Sequence, residues 1–205
     1  MSMLRFFIAC SVVFSSLTFS CADETWTPLF NGKDLSGWKV PKDNVWWKVV
    51  DSVLVGENDE KLKGSMLYTE ANYKDLILDG EVRWSGEIDS GYMIRKPEIQ
   101  VQFGVSRSLK KDMTGSFYVG KYPEEGQAKE ATKLLKTDDW NTIRLEARGE
   151  RFTVFINDVK ASEFADKKYA GAGPIGLQIH PGLKMKVEFR NLRVRSLDES
   201  GSKSP

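Results

Sequence analysis

Polar and apolar residues alternate in many short stretches of this chain, and turn-forming residues separate the stretches. This pattern is typical of half-buried β-strands. The clearest case is 175–182, where Leu177 and Ile179 alternate with Gln178 and His180, the one histidine of the sequence. We expect Leu177 and Ile179 to face a core, and Gln178 and His180 to lie side by side on the opposite face of the strand.

Similar patterns predict most of the remaining architecture. We predict strands or strand pairs at 46–55, 65–68, 76–84, 90–95, 98–103, 114–119, 140–148, 151–156, 159–164 and 186–194. The apolar positions expected to face inward include Leu78, Ile143, Leu145, Val187 and Phe189. Residues 128–136 could form one short helix, and there is no internal repeat. The chain is therefore predicted to be all-β, a single-domain antiparallel β-sandwich or jelly roll.

Polar residues occupy alternate positions in three stretches besides the one that contains His180. These residues are Asp79, Glu81 and Arg83, then Arg95, and then Glu98, Gln100 and Gln102. We predict that the four stretches lie in one sheet and share one polar face, and that this face is the working site.

The first 22 residues differ from the rest of the chain. Arg5 precedes an apolar run from Phe6 to Phe19, which is short for a membrane span and typical of a secretory signal peptide. Ser20-Cys21-Ala22 supplies small residues for cleavage before Asp23. We therefore predict a signal peptide at 1–22, a domain at 23–195 and a flexible tail at 196–205, in a secreted or periplasmic protein. A short membrane anchor and lipidation at Cys21 are the alternatives.

Charge and cysteine content limit the kinds of molecule that this protein is expected to bind. Both cysteines, Cys10 and Cys21, lie within the leader, so the predicted mature domain has no disulfide. Without the leader, basic and acidic residues are equal in number, and no basic block is present to follow a phosphate backbone. These features argue against nucleic acid as a partner, and they allow a membrane partner only through lipidated Cys21.

Several motifs resemble the 3-keto-disaccharide hydrolase family, also described as 3-keto-glucoside 1,2-lyase/3-keto-2-hydroxy-glucal hydratase domains. They are L-F-N-G-K-D-L-S-G-W at 29–38, W-K-V-V-D-S-V-L at 47–54, E-V-R at 81–83, S-G-Y-M-I-R at 90–95, E-I-Q at 98–100, T-G-S-F-Y at 114–118, W-N-T-I-R at 140–144, G-L-Q-I-H at 176–180 and V-E-F-R-N-L at 187–192. The resemblance implies a concanavalin A-like jelly roll. One departure is that the family often has an aspartate after E-I-Q, where this chain has Val101-Gln102-Phe103-Gly104.

The resemblance also implies a substrate, a glycoside already oxidised to a ketone at carbon 3 of its sugar. Such a ketone acidifies the proton on carbon 2, so that a base can remove it and the anomeric group can leave. His180 and Glu98 are the candidate catalytic acid and base. The candidate substrate-binding residues are Arg83, Arg95, Gln100, Gln178, Glu81 and Tyr118. Glu81 is expected to orient Arg83.

Other interpretations stay open at this stage. A lone histidine is often structural, and Glu-Arg alternation on a strand is often a solvated face. No cofactor is certain, although a divalent metal on His180 and Glu98 would stabilise an enediolate. The chain could instead be a non-catalytic carbohydrate-binding module that uses Trp46, Trp84 or Tyr92, or an interaction domain. The Trp46-Trp47 pair is expected to pack in the core or at its edge rather than to form a sugar platform.

Overall fold

Two antiparallel sheets pack against each other in the computed structural model, which describes residues 25–198. In chain order the strands are β1 Thr27–Pro28, β2 Trp38–Lys39, β3 Trp47–Val50, β4 Val53–Glu57, β5 Ser65–Tyr73, β6 Leu76–Trp84, β7 Asp89–Ile94, β8 Ile99–Ser106, β9 Lys111–Asp112, β10 Phe117–Tyr118, β11 Asn141–Arg148, β12 Arg151–Ile156, β13 Val159–Ala165, β14 Gly173–Ile179 and β15 Lys186–Ser196. One helix, α1 Ala131–Leu134, and two 3₁₀ turns, Glu124–Gly126 and Lys167–Tyr169, complete the described part. Within residues 25–198 no helix combines the length and apolar character that crossing a membrane requires.

The strand order explains how distant parts of the sequence meet. The first sheet has the order β13-β12-β11-β6-β15-β4-β3, and β1 pairs with β15. The second sheet has the order β10-β8-β7-β14-β5-β2, and β9 pairs with β8. This arrangement confirms the prediction of a single-domain antiparallel sandwich, and it confirms the short helix near residue 131.

The core lies between the inner faces of the two sheets, and it is built from the apolar positions of each alternating strand. Ile143, Leu145, Val187 and Phe189 of the first sheet are fully buried, as their spacing predicts, and so is Leu177 of the second. The Tyr92 ring meets the Phe103 ring edge-on, with 4.8 Å between their centroids. Since side chains alternate along a strand, every inward residue leaves its two neighbours on the outer face.

The motif at 29–38 has a structural role in the described chain. The Asn31 side chain accepts from the backbone N–H groups of Lys33 and Asp34, at 2.8 and 3.0 Å, which closes a tight turn. The indole of Trp38 is buried and donates to Leu29 O at 2.7 Å. Trp47 is also buried, which confirms that this part of the Trp46-Trp47 pair packs in the core.

Candidate functional site

The outer face of the second sheet collects amide and hydroxyl side chains that are distant in sequence. Residues between the inward ones point away from the core, and the register aligns Tyr118 with Gln100, Gln100 with Met93, and Met93 with Gly176. A parallel row aligns Gln102 with Gly91 and Gly91 with Gln178. We use the name amide face for the outward side chains of Tyr68, Asp89, Gln100, Gln102, Tyr118, Gln178 and His180.

Three glutamines on the amide face form a hydrogen-bonded chain. Gln100 Nε2 donates to Gln102 Oε1 at 2.8 Å and to Gln178 Oε1 at 2.9 Å. Gln102 Nε2 in turn donates to Asp89 Oδ1 at 2.9 Å. Gln100 and Gln102 are buried, whereas Gln178 is half-buried and lies nearer to solvent. Amides offer both donors and acceptors, which is what sugar hydroxyls require.

His180 follows Gln178 on the same face, just beyond the end of β14. Its Nδ1 lies 2.8 Å from Pro181 O, and a carbonyl oxygen can only accept, so Nδ1 carries the proton in this contact. In the neutral ring Nε2 then has the lone pair and is free to act as a base. The histidine is half-buried, so solvent and ligand can both reach it.

The backbone around His180 is held in place by neighbouring loops. His180 N–H donates to Asp89 O at 3.2 Å, and Asn58 Nδ2 donates to His180 O at 3.0 Å. Gly64 lies against the same turn, where an added Cβ would be 2.3 Å from Ile179 O. The backbone that carries the imidazole is therefore held by packing and hydrogen bonds.

Two glycines let large side chains lie flat across the sheet. A Cβ at Gly91 would approach Gln100 Nε2 to 2.9 Å, and a Cβ at Gly176 would approach the Tyr68 ring to 2.6 Å. Both distances are too short for carbon contacts. The absence of these two side chains therefore makes room for the Gln100 amide and the Tyr68 ring.

Tyr68 and Glu98 form a pair at one end of the amide face. The Tyr68 hydroxyl donates to Glu98 Oε2 at 2.8 Å, and Glu98 is exposed in the turn between β7 and β8. Burial of the ring, together with this carboxylate, raises the pKa of Tyr68 well above its usual value. Tyr68 therefore stays protonated and acts as a hydrogen-bond donor near neutral pH.

Tyr118 lies at the β10 edge of the amide face and contacts a second tyrosine. The rings of Tyr118 and Tyr122 are 5.0 Å apart between centroids. Burial raises the pKa of Tyr122 to about 12, and the nearby Asp89 carboxylate adds to the increase while a hydrogen bond with Ser106 opposes it. The two half-buried rings provide an apolar rim beside Gln100.

Glu81 and Arg83 do not belong to this face, and the prediction of one shared polar face is wrong in this respect. They lie on β6, and β6 pairs with β11 and β15 in the first sheet. Arg83 Nε donates to Glu188 Oε2 at 2.8 Å, and Arg190 donates to both carboxylate oxygens of Glu81 at 3.0 and 2.8 Å. Glu81 therefore does not orient Arg83. Alternation specifies which face of a strand is polar, but it does not specify the sheet to which the strand belongs.

Arg95 is also removed from the amide face. Its side chain is fully buried and donates to Asp75 Oδ1 at 3.1 Å and to Gly149 O at 3.2 Å. Its guanidinium lies 5.5 Å from the centroid of the Phe152 ring. Arg95 has a positive φ of 72°, so the strand pattern ends there and the side chain turns inward. The residue joins three turns rather than contacting a ligand.

His180 and Glu98 lie at opposite ends of the amide face. The strand registers separate them by roughly six residue positions, on the order of 20 Å along the strands at 3.4 Å per residue. They therefore do not form the joint metal site considered for them. Among residues 25–198, no group of three or more His, Cys, Asp or Glu side chains is placed to hold a metal ion.

A recess of about 570 Å³ opens on the outer face of the first sheet, beside Asp79, Arg144 and Arg193. The charges there are already compensated, since both Nε and Nη2 of Arg193 donate to Asp79 Oδ2 at 2.9 and 2.8 Å. Arg144 Nη2 pairs with Asp158 at 2.6 Å. Asp79 Oδ1 is the one buried side-chain acceptor of this recess that receives no hydrogen bond from the described residues. We favour the amide face as the functional site because, within residues 25–198, it combines an imidazole with an outermost amide whose NH2 group makes no internal hydrogen bond.

Sequence reasoning missed Tyr68, Asp89 and Tyr122. Asp89 could have been found, because it is two residues before Gly91 and so shares the outer face of β7. Tyr68 likewise alternates with the inward Leu67. Tyr122 lies outside any strand, and no periodic pattern marks it. Tyr92, considered as a sugar platform, is instead fully buried in the core.

The fold is a jelly-roll sandwich with an amide-rich polar face on its second sheet, and the family match places the protein among carbohydrate-active domains. The chain belongs to the family described as the 3-keto-alpha-glucoside-1,2-lyase-like domain, whose model matches residues 25–195. No protein with a curated description matches the chain.

Solved structures with the same fold include candidate glycosyl hydrolases from Parabacteroides distasonis ATCC 8503. One is 26% identical with a TM-score of 0.62, and the alignment covers 84% of each chain. Another is 22% identical with a TM-score of 0.63, covering 84% of this chain and 94% of the other. The carbohydrate binding module CBM66 from Bacillus subtilis is 16% identical with a TM-score of 0.51, covering 78% of this chain and 96% of the module. At 22% and 16% identity, the similarity to the last two structures shows a shared fold only.

Proposed function

We propose that this protein cleaves 3-keto-glycosides by elimination followed by hydration, and that the amide face is its active site. The observation that carries the proposal is membership of the lyase-like family over residues 25–195. The geometry supports it, because an imidazole with a free Nε2 lies beside the outermost amide of a polar face.

The proposed reaction begins with removal of the proton on carbon 2 by His180 Nε2. The electron pair left by that proton delocalises onto the keto oxygen and gives an enediolate. When the pair returns, carbons 1 and 2 become doubly bonded and the bond from carbon 1 to the leaving oxygen breaks. The imidazolium donates its proton to that oxygen, and the ring product is a 2-hydroxy-3-keto-glucal. Water then adds its hydroxyl to carbon 1 and a proton to carbon 2, so the net change is hydrolysis.

Different parts of the amide face bind different parts of the substrate in this proposal. Gln178 and Gln100 bind the sugar that carries the ketone, next to His180. Glu98 and Tyr68 lie too far from His180 to share the proton transfers, so we assign them to the hydroxyl groups of the second sugar or aglycone. Tyr118 and Tyr122 border the same face.

The direct test compares a 3-keto-glucoside with its unoxidised parent as substrates of the purified protein, with product release followed by chromatography. We expect release from the keto substrate alone, above the rate of a protein-free blank. Equal release from both substrates, or from neither, would contradict the proposal. The same assay with a chelator tests whether the reaction needs a divalent metal, although His180 and Glu98 lie too far apart to hold one jointly.

A carbohydrate-binding module is the second candidate function. The paired rings of Tyr118 and Tyr122 favour it, because aromatic side chains beside amides also suit a sugar without turnover. Calorimetry separates the two functions: a module would bind unoxidised saccharides, and neither it nor its His180→Ala variant would cleave a keto substrate.

We also propose that the protein is exported, on the basis of Arg5 and the apolar run that follows it. Expression of the full sequence in a bacterial host should give a shortened chain in the periplasm or medium. A full-length chain retained in the cytoplasm would contradict export. Recovery in the membrane fraction that is abolished by Cys21→Ala would indicate lipidation.

A further inference from the structure

The Asp89 carboxylate lies at one end of the glutamine chain and takes no part in the proposed reaction. It is only 5% exposed, and both of its oxygens accept hydrogen bonds. Oδ1 accepts from Gln102 Nε2 at 2.9 Å, and Oδ2 accepts from the backbone N–H of Arg107 at 3.0 Å. Because a carboxylate accepts and does not donate, it gives this end of the chain a fixed polarity.

That polarity passes from one amide to the next. Gln102 must turn its NH2 towards Asp89, and the nearby Phe103 O at 3.2 Å favours the same orientation. Gln102 Oε1 therefore faces Gln100, which turns its own NH2 towards Gln102 and Gln178. Ser90 O, 3.3 Å from Gln100 Nε2, is a further acceptor on that side.

The orientation of Gln102 and Gln100 determines that of Gln178, the outermost amide. Gln178 Oε1 is occupied by the N–H of Gln100, so its carbonyl points into the sheet. Its NH2 group makes no hydrogen bond within the described residues and is directed away from the chain of amides. Two N–H donors are thus presented at the position next to His180.

We propose that Asp89 is a positioning residue, which sets the orientation of Gln102, Gln100 and Gln178 so that Gln178 offers its NH2 group to an acceptor oxygen of the ligand. The identity of that oxygen rests on the proposed function: it is the keto oxygen, where negative charge develops as the proton on carbon 2 leaves. The orientation of the amides does not depend on the proposed function.

Two variants test this directionality. In Asp89→Asn the new amide must place an NH2 group against either Arg107 N–H or Gln102 Nε2, and both of these are donors. The clash is relieved when Gln102 turns round, which in turn favours reversal of Gln100 and Gln178. Adding Gln102→Glu restores the polarity, because the introduced glutamate accepts from the introduced asparagine with one oxygen and from Gln100 with the other.

The first readout is hydrogen exchange of the side-chain NH2 groups, followed by NMR on the ligand-free protein. In the wild-type protein we expect fast exchange at Gln178 and protection at the buried Gln100 and Gln102. In Asp89→Asn the exchange at Gln178 should slow by about tenfold as its NH2 turns inward, and the double variant should return it to the wild-type rate. A protected Gln178 NH2 in the wild-type protein would overturn the proposal, even if Asp89→Asn does not fold. An unchanged rate in a folded Asp89→Asn would also overturn it.

The second readout is turnover of a 3-keto-glucoside. Asp89→Asn should lower kcat by roughly 10- to 100-fold with a smaller effect on KM, since the lost donors act mainly in the transition state. The double variant should recover most of that loss, which a merely structural role of Asp89 would not produce. If the wild-type protein turns over no keto substrate, the proposed function fails, and the exchange experiment still decides the role of Asp89.

Discussion

Gln100 Nε2 lies 2.9 Å from Gln178 Oε1, although 78 positions separate the two residues in the sequence. Gln100 is on β8 and Gln178 is on β14, and β7 lies between these two strands. Gly91 of β7 has no side chain to separate them. The contact joins the stretch 175–182, which contains His180, to the stretch 98–102, one of the three that were predicted to share its polar face.

His180→Ala should lower kcat on a 3-keto-glucoside by about 10²- to 10⁴-fold, because the base that removes the proton on carbon 2 is lost. The fold should remain, since the imidazole makes a single hydrogen bond within residues 25–198, to Pro181 O. Steady-state kinetics and circular dichroism measure the two effects. Arg83→Gln, on the outer face of the other sheet, is the control and should keep wild-type turnover. A folded His180→Ala protein with full activity would exclude this assignment.

Tyr68→Phe should raise KM by about fivefold and leave kcat nearly unchanged, if Tyr68 and Glu98 bind the distal part of the substrate. The factor corresponds to one hydrogen bond of about 1 kcal/mol. Glu98→Gln should have an effect of similar size on KM. Kinetics with a disaccharide and with a smaller aglycone provide the check, since only the larger substrate should respond. A large fall in kcat for Glu98→Gln would instead return Glu98 to a catalytic role.

Arg95→Met should lower the free energy of unfolding by about 3 kcal/mol, because it removes a fully buried ion-pair partner and leaves Asp75 without its cation. Urea denaturation measures the loss. Arg83→Met is the matched control, because its ion pair with Glu188 is partly exposed and contributes about 1 kcal/mol or less. Turnover by the folded Arg95→Met protein should stay close to wild type. An Arg95→Met protein with wild-type stability and a raised KM would show that Arg95 contacts the substrate.

The Glu81–Arg190 pair should make stability depend on pH. Hydrogen bonds from Arg190 lower the pKa of Glu81 below its ordinary value of 4.5, and burial opposes this effect only in part. A carboxyl group whose pKa is lower in the folded state than in the unfolded state stabilises the fold at pH values above the unfolded-state pKa. This stabilisation is lost as the pH falls through the folded-state pKa. Glu81→Gln should therefore cost up to about 1 kcal/mol at pH 7. Urea titrations at pH 7 and pH 3 should show this difference shrinking at the lower pH, and a constant difference would contradict the linkage.

Local periodicity was sufficient to predict most strands and their inward faces. β6 and β12 have the predicted bounds, and Ile143, Leu145 and Leu177 are buried as expected. The hydrophobic effect selects apolar residues at the inward positions of each strand, so these positions can be recognised from the sequence of that strand alone. The pairing of strands is a long-range property, and this is why Glu81 and Arg83 were placed on the wrong sheet.

The candidate site was predictable only in part for the same reason. Gln100 and Gln178 could be selected from alternation and from the family motifs, and the structure brings them into contact. The partners of a charged residue could not be predicted: Arg95 is neutralised by Asp75, and Arg83 by Glu188, through contacts that depend on the tertiary fold. Alternation could have placed Asp89 on the polar face, but its hydrogen bond to Gln102 depends on the tertiary fold.

In the proposed reaction, cleavage depends on loss of the proton on carbon 2 of a 3-keto sugar. Incubation of the protein with a 3-keto-glucoside in deuterated water, followed by NMR, tests this most directly. We expect cleavage with deuterium at carbon 2 of the released sugar, no cleavage of the unoxidised parent, and loss of both cleavage and label in His180→Ala. Cleavage that leaves the original proton on carbon 2 would contradict the elimination mechanism.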